Sequence, residues 1–124
     1  MNHTTILIVD DEEELRENLQ DLLEFKGYQV ETFATGEEFL EEFDSISGDL
    51  VLLDIQLPGV DGLEVLRRIK ERRPHMPVAM VSASSVRGIL DQAEAYGADR
   101  IILKPYSHED ILQAVEEIVN RAGG

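Results

Sequence analysis

Four short stretches carry residues able to do chemistry together: Asp10-Asp11, Asp54, Ser82 and Lys104 followed by Pro105. Each one directly follows or ends a short run of Ile, Val and Leu. Three carboxylates brought within a few ångströms repel one another, and such a group stays ionised only when a cation is shared among them. The donor set is all oxygen, which selects a hard ion, Mg2+ first, with Mn2+ or Ca2+ as substitutes. Lys104 adds a positive charge without filling the metal position, and Ser82 adds a hydroxyl donor. A cation and an ammonium aimed at one carboxylate suit a phosphoryl group in transfer, whose charge is spread over its equatorial oxygens. On this reading Asp54 is the nucleophile and an acyl phosphate is the product.

Each residue alone has a plainer use. Adjacent aspartates after a strand cap helices, an Asp beside Pro58-Gly59 suits a turn, and Ser82, with Ser84 and Ser85 after it, suits a helix cap. Only their recurrence at four strand ends favours a common site.

The elements needed to assemble such a site are legible in the hydropathy pattern. Apolar runs at Thr5–Val9, Gln29–Phe33, Leu50–Leu53, Val78–Val81 and Arg100–Leu103 alternate with segments of helical periodicity. Five such repeats predict an α/β domain with a parallel sheet. Four of the runs are nearly continuous, as for strands covered on both faces, whereas Gln29–Phe33 alternates like an edge strand. Leu15, Leu19, Leu22 and Leu23 form one helical stripe, and Ile111, Leu112, Val115, Ile118 and Val119 another. Further helices are expected at Glu37–Phe43, Leu63–Arg73 and Val86–Tyr96. Thr35-x-x-Glu38 and Ser107-x-x-Asp110 resemble capping boxes, and Gly27 and Gly97 sit where left-handed helix ends favour glycine. In open α/β sheets ligands gather beyond the carboxyl ends of the strands, where the four reactive stretches fall.

Composition narrows the functions. The 124 residues suit one domain, 1–124, with a core over about 5–120 and a loosening tail from Asn120. Eleven basic against 26 acidic residues give a formal charge of -15, which disfavours nucleic acid and anionic lipid as direct partners. The cluster Arg67, Arg68, Lys70, Arg72 and Arg73 alternates with apolar residues and reads as the wet side of a helix. There is no cysteine, hence no disulfide and no thiolate chemistry. No signal peptide or membrane span is expected, and the protein is expected to be cytoplasmic. His3, His75 and His108 are isolated in polar settings and read as solvated.

Taken together, Asp10-Asp11, Asp54 leading into Leu57-Pro58-Gly59-Val60-Asp61-Gly62, Ser82-Ala83 and Lys104-Pro105 resemble the receiver domains of bacterial two-component systems, across Ile6 to Val119. The resemblance implies a flavodoxin-like, doubly wound sheet in order 2-1-3-4-5 flanked by five helices. It implies direct Mg2+ binding by Asp11, binding mostly through water by Asp10, and a backbone carbonyl ligand from Gln56. It further implies that Asp54 takes its phosphoryl group from a histidine kinase or histidine phosphotransfer protein, that Lys104 pairs with Asp54, and that Ser82 moves toward the phosphoryl group. A homodimer through helices 4 and 5 is a further implication. One position departs from the pattern: Ile101 stands where the family often has an aromatic residue, and Tyr106 does not replace it. Glu12, next to the acidic pair, reads as a first-turn residue of a helix or as an aid to metal binding. Gln56 and Ser84 flank the site, where they would set the lifetime of the acyl phosphate. The alternatives are an aspartyl-phosphate hydrolase and a scaffold that never takes phosphate. The first is disfavoured by the contiguous acidic pair, and the second by the intact acidic group and Lys104.

Overall fold

The computed structural model describes residues 4–83 and 87–123. Its strands are β1 (Thr5–Val9), β2 (Gln29–Phe33), β3 (Leu50–Asp54), β4 (Val78–Ser82) and β5 (Arg100–Leu103). The helices are α1 (Glu13–Phe25), α2 (Gly36–Glu42), α3 (Gly62–Arg72), α4 (Arg87–Ala95) and α5 (His108–Gly123), with a short 3-10 turn, Phe43–Ser45, after α2. All strand pairs are parallel and the order is β2-β1-β3-β4-β5, the doubly wound topology that the resemblance implies.

Because side chains alternate across a strand, β1 and β3 serve two cores at once. Leu7, Val9, Val51 and Leu53 face one cluster with Phe39, Phe43, Val65, Leu66 and Ile69, which come from α2, its 3-10 turn and α3. Ile6, Ile8, Leu50 and Leu52 face the other, built with Leu19 and Leu23 of α1 and Ile111, Val115 and Ile118 of α5. Burial on both faces explains why these strands read as unbroken apolar runs.

The helix ends form where capping chemistry places them. The Thr35 hydroxyl accepts from the Glu38 amide at 3.0 Å, and Ser107 and Asp110 exchange both bonds of a capping box, at 2.9 and 3.1 Å. Gly27 and Gly97 close α1 and α4 at φ of 97° and 100°. Asp61, read only as part of a motif, caps α3 by accepting from the Glu64 amide at 3.1 Å.

Three expectations need correction. β5 is the second edge of the sheet and is not covered on both faces: Leu103 is 45% exposed, because no strand lies beyond it. The tail expected from Asn120 continues instead as α5 to Gly123. The cationic side of α3 is only partly a wet face. Arg67 and Arg68 pair with Glu64 at the surface, but Lys70 donates to the Met76 carbonyl and to Asp99. Arg73 lies over the Phe43 ring, 4.3 Å from its centroid, and donates to the carbonyls of Phe43 and Ile46. These stems and heads tie α3 to neighbouring loops. Among the described residues no helix is long and apolar enough to cross a membrane.

Candidate functional site

Strand register brings the four reactive stretches to one level. Val9 pairs with Leu53, Asp54 with Val81, and Ser82 with Leu103, so Asp10, Asp54, Ser82 and Lys104 all emerge at the carboxyl edge. Asp10 is buried, and its Oδ1 accepts from the Glu12 amide at 2.9 Å, turning the chain from β1 into α1. Arg16 donates to the Asp10 carbonyl at 2.8 Å from one turn along that helix. Asp54 ends β3 and is also buried; its Oδ1 accepts from the Gln56 amide at 2.9 Å and its Oδ2 from Lys104 Nζ at 3.1 Å. Ser82 is fully buried, and its carbonyl accepts from the Lys104 amide at 2.8 Å, fixing where the lysine leaves the sheet.

The start of α3 is pressed against the same place. The Gly62 amide donates to the Ile55 carbonyl at 2.9 Å, and a Cβ on Gly62 would lie 2.1 Å from the Asp54 carbonyl oxygen. Only a residue without a side chain permits this approach.

One carboxylate oxygen from each of Asp10, Glu12 and Asp54 falls within 4.8 Å of the others, the grouping a shared cation requires. Glu12 thus joins the cluster, although it is mostly exposed and precedes α1 without a side-chain capping bond. Its Oε1 lies 3.7 Å from Lys104 Nζ. Asp11 is exposed and outside this three-residue group, but its charge still acts on both Asp10 and Asp54. Gln56 contributes its amide to Asp54 while its side chain faces solvent. Ser84 lies outside the described residues, as does His3. His75 and His108 are exposed and take no part in the acidic group.

Burial dominates the electrostatics. It pushes the Asp10 carboxyl up from 3.8 to about 6, helped by the negative charges of Asp54 and Asp11 and opposed by the Glu12 amide and Lys104. Burial also raises Asp54, against the Gln56 amide and the Lys104 hydrogen bond. For Lys104, burial works against the charged form, but the bond and charge of Asp54, with Asp10 and Glu12, outweigh it and the ammonium is held above its ordinary value. One ammonium therefore faces several carboxylates, and the imbalance favours a cation. The donors present are carboxylate oxygens, which fit a small hard ion.

Sequence reasoning weighed Tyr106 only as a substitute for the missing aromatic at Ile101 and gave it no role at the site. Tyr106 lines an open cavity of about 500 Å³ with Glu12, Leu15, Ala83, Lys104 and Pro105, directly beside the acidic group. The available signal was a hydroxyl-bearing aromatic two positions after the lysine. Ile101 is half-buried in the edge strand β5, where no aromatic side chain is present to turn inward.

A β2-β1-β3-β4-β5 sheet with an acidic group and a lysine at its carboxyl edge defines a CheY-like domain of the flavodoxin-like class. The chain belongs to the response regulator receiver domain family, which matches residues 6–116. It is 35% identical over 121 residues to the transcriptional regulatory protein ResD of Bacillus subtilis, covering 98% of this chain and 50% of ResD. The chain spans about half the length of the curated relatives it matches. Among solved structures, a CheY-like receiver domain protein from Methanospirillum hungatei superposes with a TM-score of 0.93 at 33% identity, covering 97% of this chain and 96% of that one. The response regulator TrrA of Thermotoga maritima, solved in complex with Mg2+ and BeF, gives a TM-score of 0.84 at 35% identity, covering 93% and 98%.

Proposed function

We propose that residues 1–124 form one receiver domain that accepts a phosphoryl group on Asp54 from the phosphohistidine of a kinase or histidine phosphotransfer protein. An Asp54 carboxylate oxygen forms the new bond to phosphorus as the bond from phosphorus to the donor imidazole nitrogen breaks. The imidazole leaves with that electron pair and takes up a proton. Lys104, 3.1 Å from Asp54 Oδ2, draws charge from the carboxylate before transfer and is in place to meet the phosphoryl oxygens after it. Ser82 offers its hydroxyl from the neighbouring strand end. Asp10 and Glu12, with Asp54, would hold Mg2+ or Mn2+; Asp11 and the Gln56 carbonyl are the further ligands that family resemblance proposes. When bound, the cation supplies positive charge that offsets repulsion between carboxylate and phosphoryl oxygens.

The observation that carries this reading is the pairing of buried Asp54 with Lys104 inside an acidic group otherwise short of positive charge. The TrrA complex, with Mg2+ and BeF, is consistent with it. The displacement of Ser82 and its loop would relay the signal through β5 and the adjoining helices, with a homodimer through α4 and α5 as one outcome.

The test is exposure to acetyl phosphate with Mg2+, read by intact mass. Wild type should gain one phosphoryl group, removed by chelation of the metal beforehand, and Asp54→Asn should gain none. Equal labelling of Asp54→Asn would place the acceptor elsewhere, and catalytic turnover of small phosphate esters would favour the hydrolase reading.

A further inference from the structure

Tyr106 carries a contradiction that the acidic group resolves. Its ring packs against the cluster formed by α1, α5 and the sheet, while its hydroxyl is buried and has no hydrogen-bond partner. Among the described residues it is the one buried side-chain polar atom left in that condition. A phenol buried without a partner loses its hydration and gains nothing in return, and a phenylalanine would fill the same space without that cost. The hydroxyl is therefore costly for the fold, and no described residue supplies it with a partner.

Its surroundings indicate which partner. Tyr106 shares its cavity with Glu12 and Lys104, and a volume of about 500 Å³ has room for several waters. Burial raises the phenol above its ordinary value and Asp10 adds to this, so the group stays protonated and neutral. A neutral phenol can accept a hydrogen bond from one neighbour and donate to another. A small hard divalent ion bound by few carboxylates retains several waters, each a strong donor.

We infer that Tyr106 is a positioning residue for the cation site, its hydroxyl holding a water of the hydrated ion bound by Asp10, Glu12 and Asp54. The inference rests on the receiver reading proposed above and extends it to a residue outside the acidic group. Tyr106 fixes the orientation of the hydrated ion and touches no reacting atom.

Tyr106→Phe removes the hydroxyl and keeps the ring. Two readouts on purified protein decide the matter: the dissociation constant for Mg2+ by titration calorimetry, and thermal unfolding in chelator. The variant should bind Mg2+ about threefold to tenfold more weakly, the range one modest hydrogen bond supports, and should unfold at the same or a higher temperature without metal. A purely structural hydroxyl would lower the metal-free unfolding temperature and leave Mg2+ affinity alone, and either of those results overturns the inference. If wild type binds Mg2+ and Tyr106→Phe binds it equally well, the inference alone fails. If wild type binds no Mg2+, the receiver chemistry itself fails.

Discussion

Two groups of carboxylates in this domain are treated in opposite ways. On the outer face of α3, Glu64 receives hydrogen bonds from Arg67 and Arg68, which lower its pKa to about 2. At the carboxyl edge of the sheet, Asp10 and Asp54 are buried, share one ammonium, and are both pushed up. Glu64 sits in its preferred charge state within the chain alone, whereas Asp10 and Asp54 do not. Carboxylates held in an environment that disfavours their charge stabilise whatever cation enters, and the fold tolerates the cost because the surrounding strands are buried. Burial of charge without compensation marks the site; abundance of charge does not.

Gly62 is where the two regions touch, and the largest expected effect lies there. As the first residue of α3, it rests on the backbone of Asp54 and Ile55, with no room for a Cβ. Gly62→Ala should destabilise the domain by about 3 kcal/mol, since rigid backbone must shift to admit the methyl group. It should also weaken phosphoryl uptake, because the displaced element carries the nucleophile. Urea unfolding and acetyl phosphate labelling of the variant measure both effects. A loss of stability below about 0.5 kcal/mol would mean that α3 and β3 are not mechanically joined at this point.

Asp10→Asn separates the two regions by sign. The folded-state pKa of Asp10 lies above its ordinary value, so its stabilising contribution is full below pH 3.8 and is lost as pH rises through about 6. Asparagine keeps an oxygen for the Glu12 amide and carries no charge. In chelator at pH 7 the variant should exceed wild type by about 1–3 kcal/mol, the upper end being the full shift at about 1.4 kcal/mol per unit. The difference should vanish near pH 3.5, and saturating Mg2+ should reverse it by stabilising wild type only. Denaturant unfolding with pH and metal varied checks each arm. A variant less stable than wild type at pH 7 without metal would overturn the view that Asp10 is held against its preference.

Most of this was legible beforehand, for reasons that differ by element. β1, β3 and β4 announced themselves because burial on both faces demands unbroken apolar runs, and Thr35, Ser107, Gly27 and Gly97 marked helix ends because their chemistry is local. Asp10, Asp54, Ser82 and Lys104 were found as strand-end residues, since register alone carries each to the same edge. What failed was long-range or depended on edges. β5 reads as apolar as β3, yet no neighbour covers Leu103. Arg73 looks like a solvated charge until Phe43, thirty positions away, is seen beneath it. Glu12 reads first as a helix-start residue and joins Asp10 and Asp54 through the turn that Asp10 forms with its amide. Tyr106 was set aside because its meaning lies in the absence of a partner among the described residues, which no spacing reveals.

Glu64→Gln, the smallest effect, tests the other side of the contrast. Here the folded-state pKa is depressed to about 2, so the contribution is present above the ordinary value of 4.5 and is lost as pH falls through about 2. Its dependence on pH is therefore opposite to that of Asp10. The partners are surface side chains, with Arg67 and Arg68 each more than a third exposed, and solvent screens what they share. Replacement should lower the unfolding temperature by only about 1–2 °C at neutral pH and low salt, and the difference should fade near 1 M salt. The Asp10→Asn difference should largely survive the same salt, because buried charges are screened far less. Parallel thermal melts across a salt series compare the two. If salt erased the Asp10 effect as readily as that of Glu64, the acidic edge would be an ordinary wet surface, and its pull on a cation would need another cause.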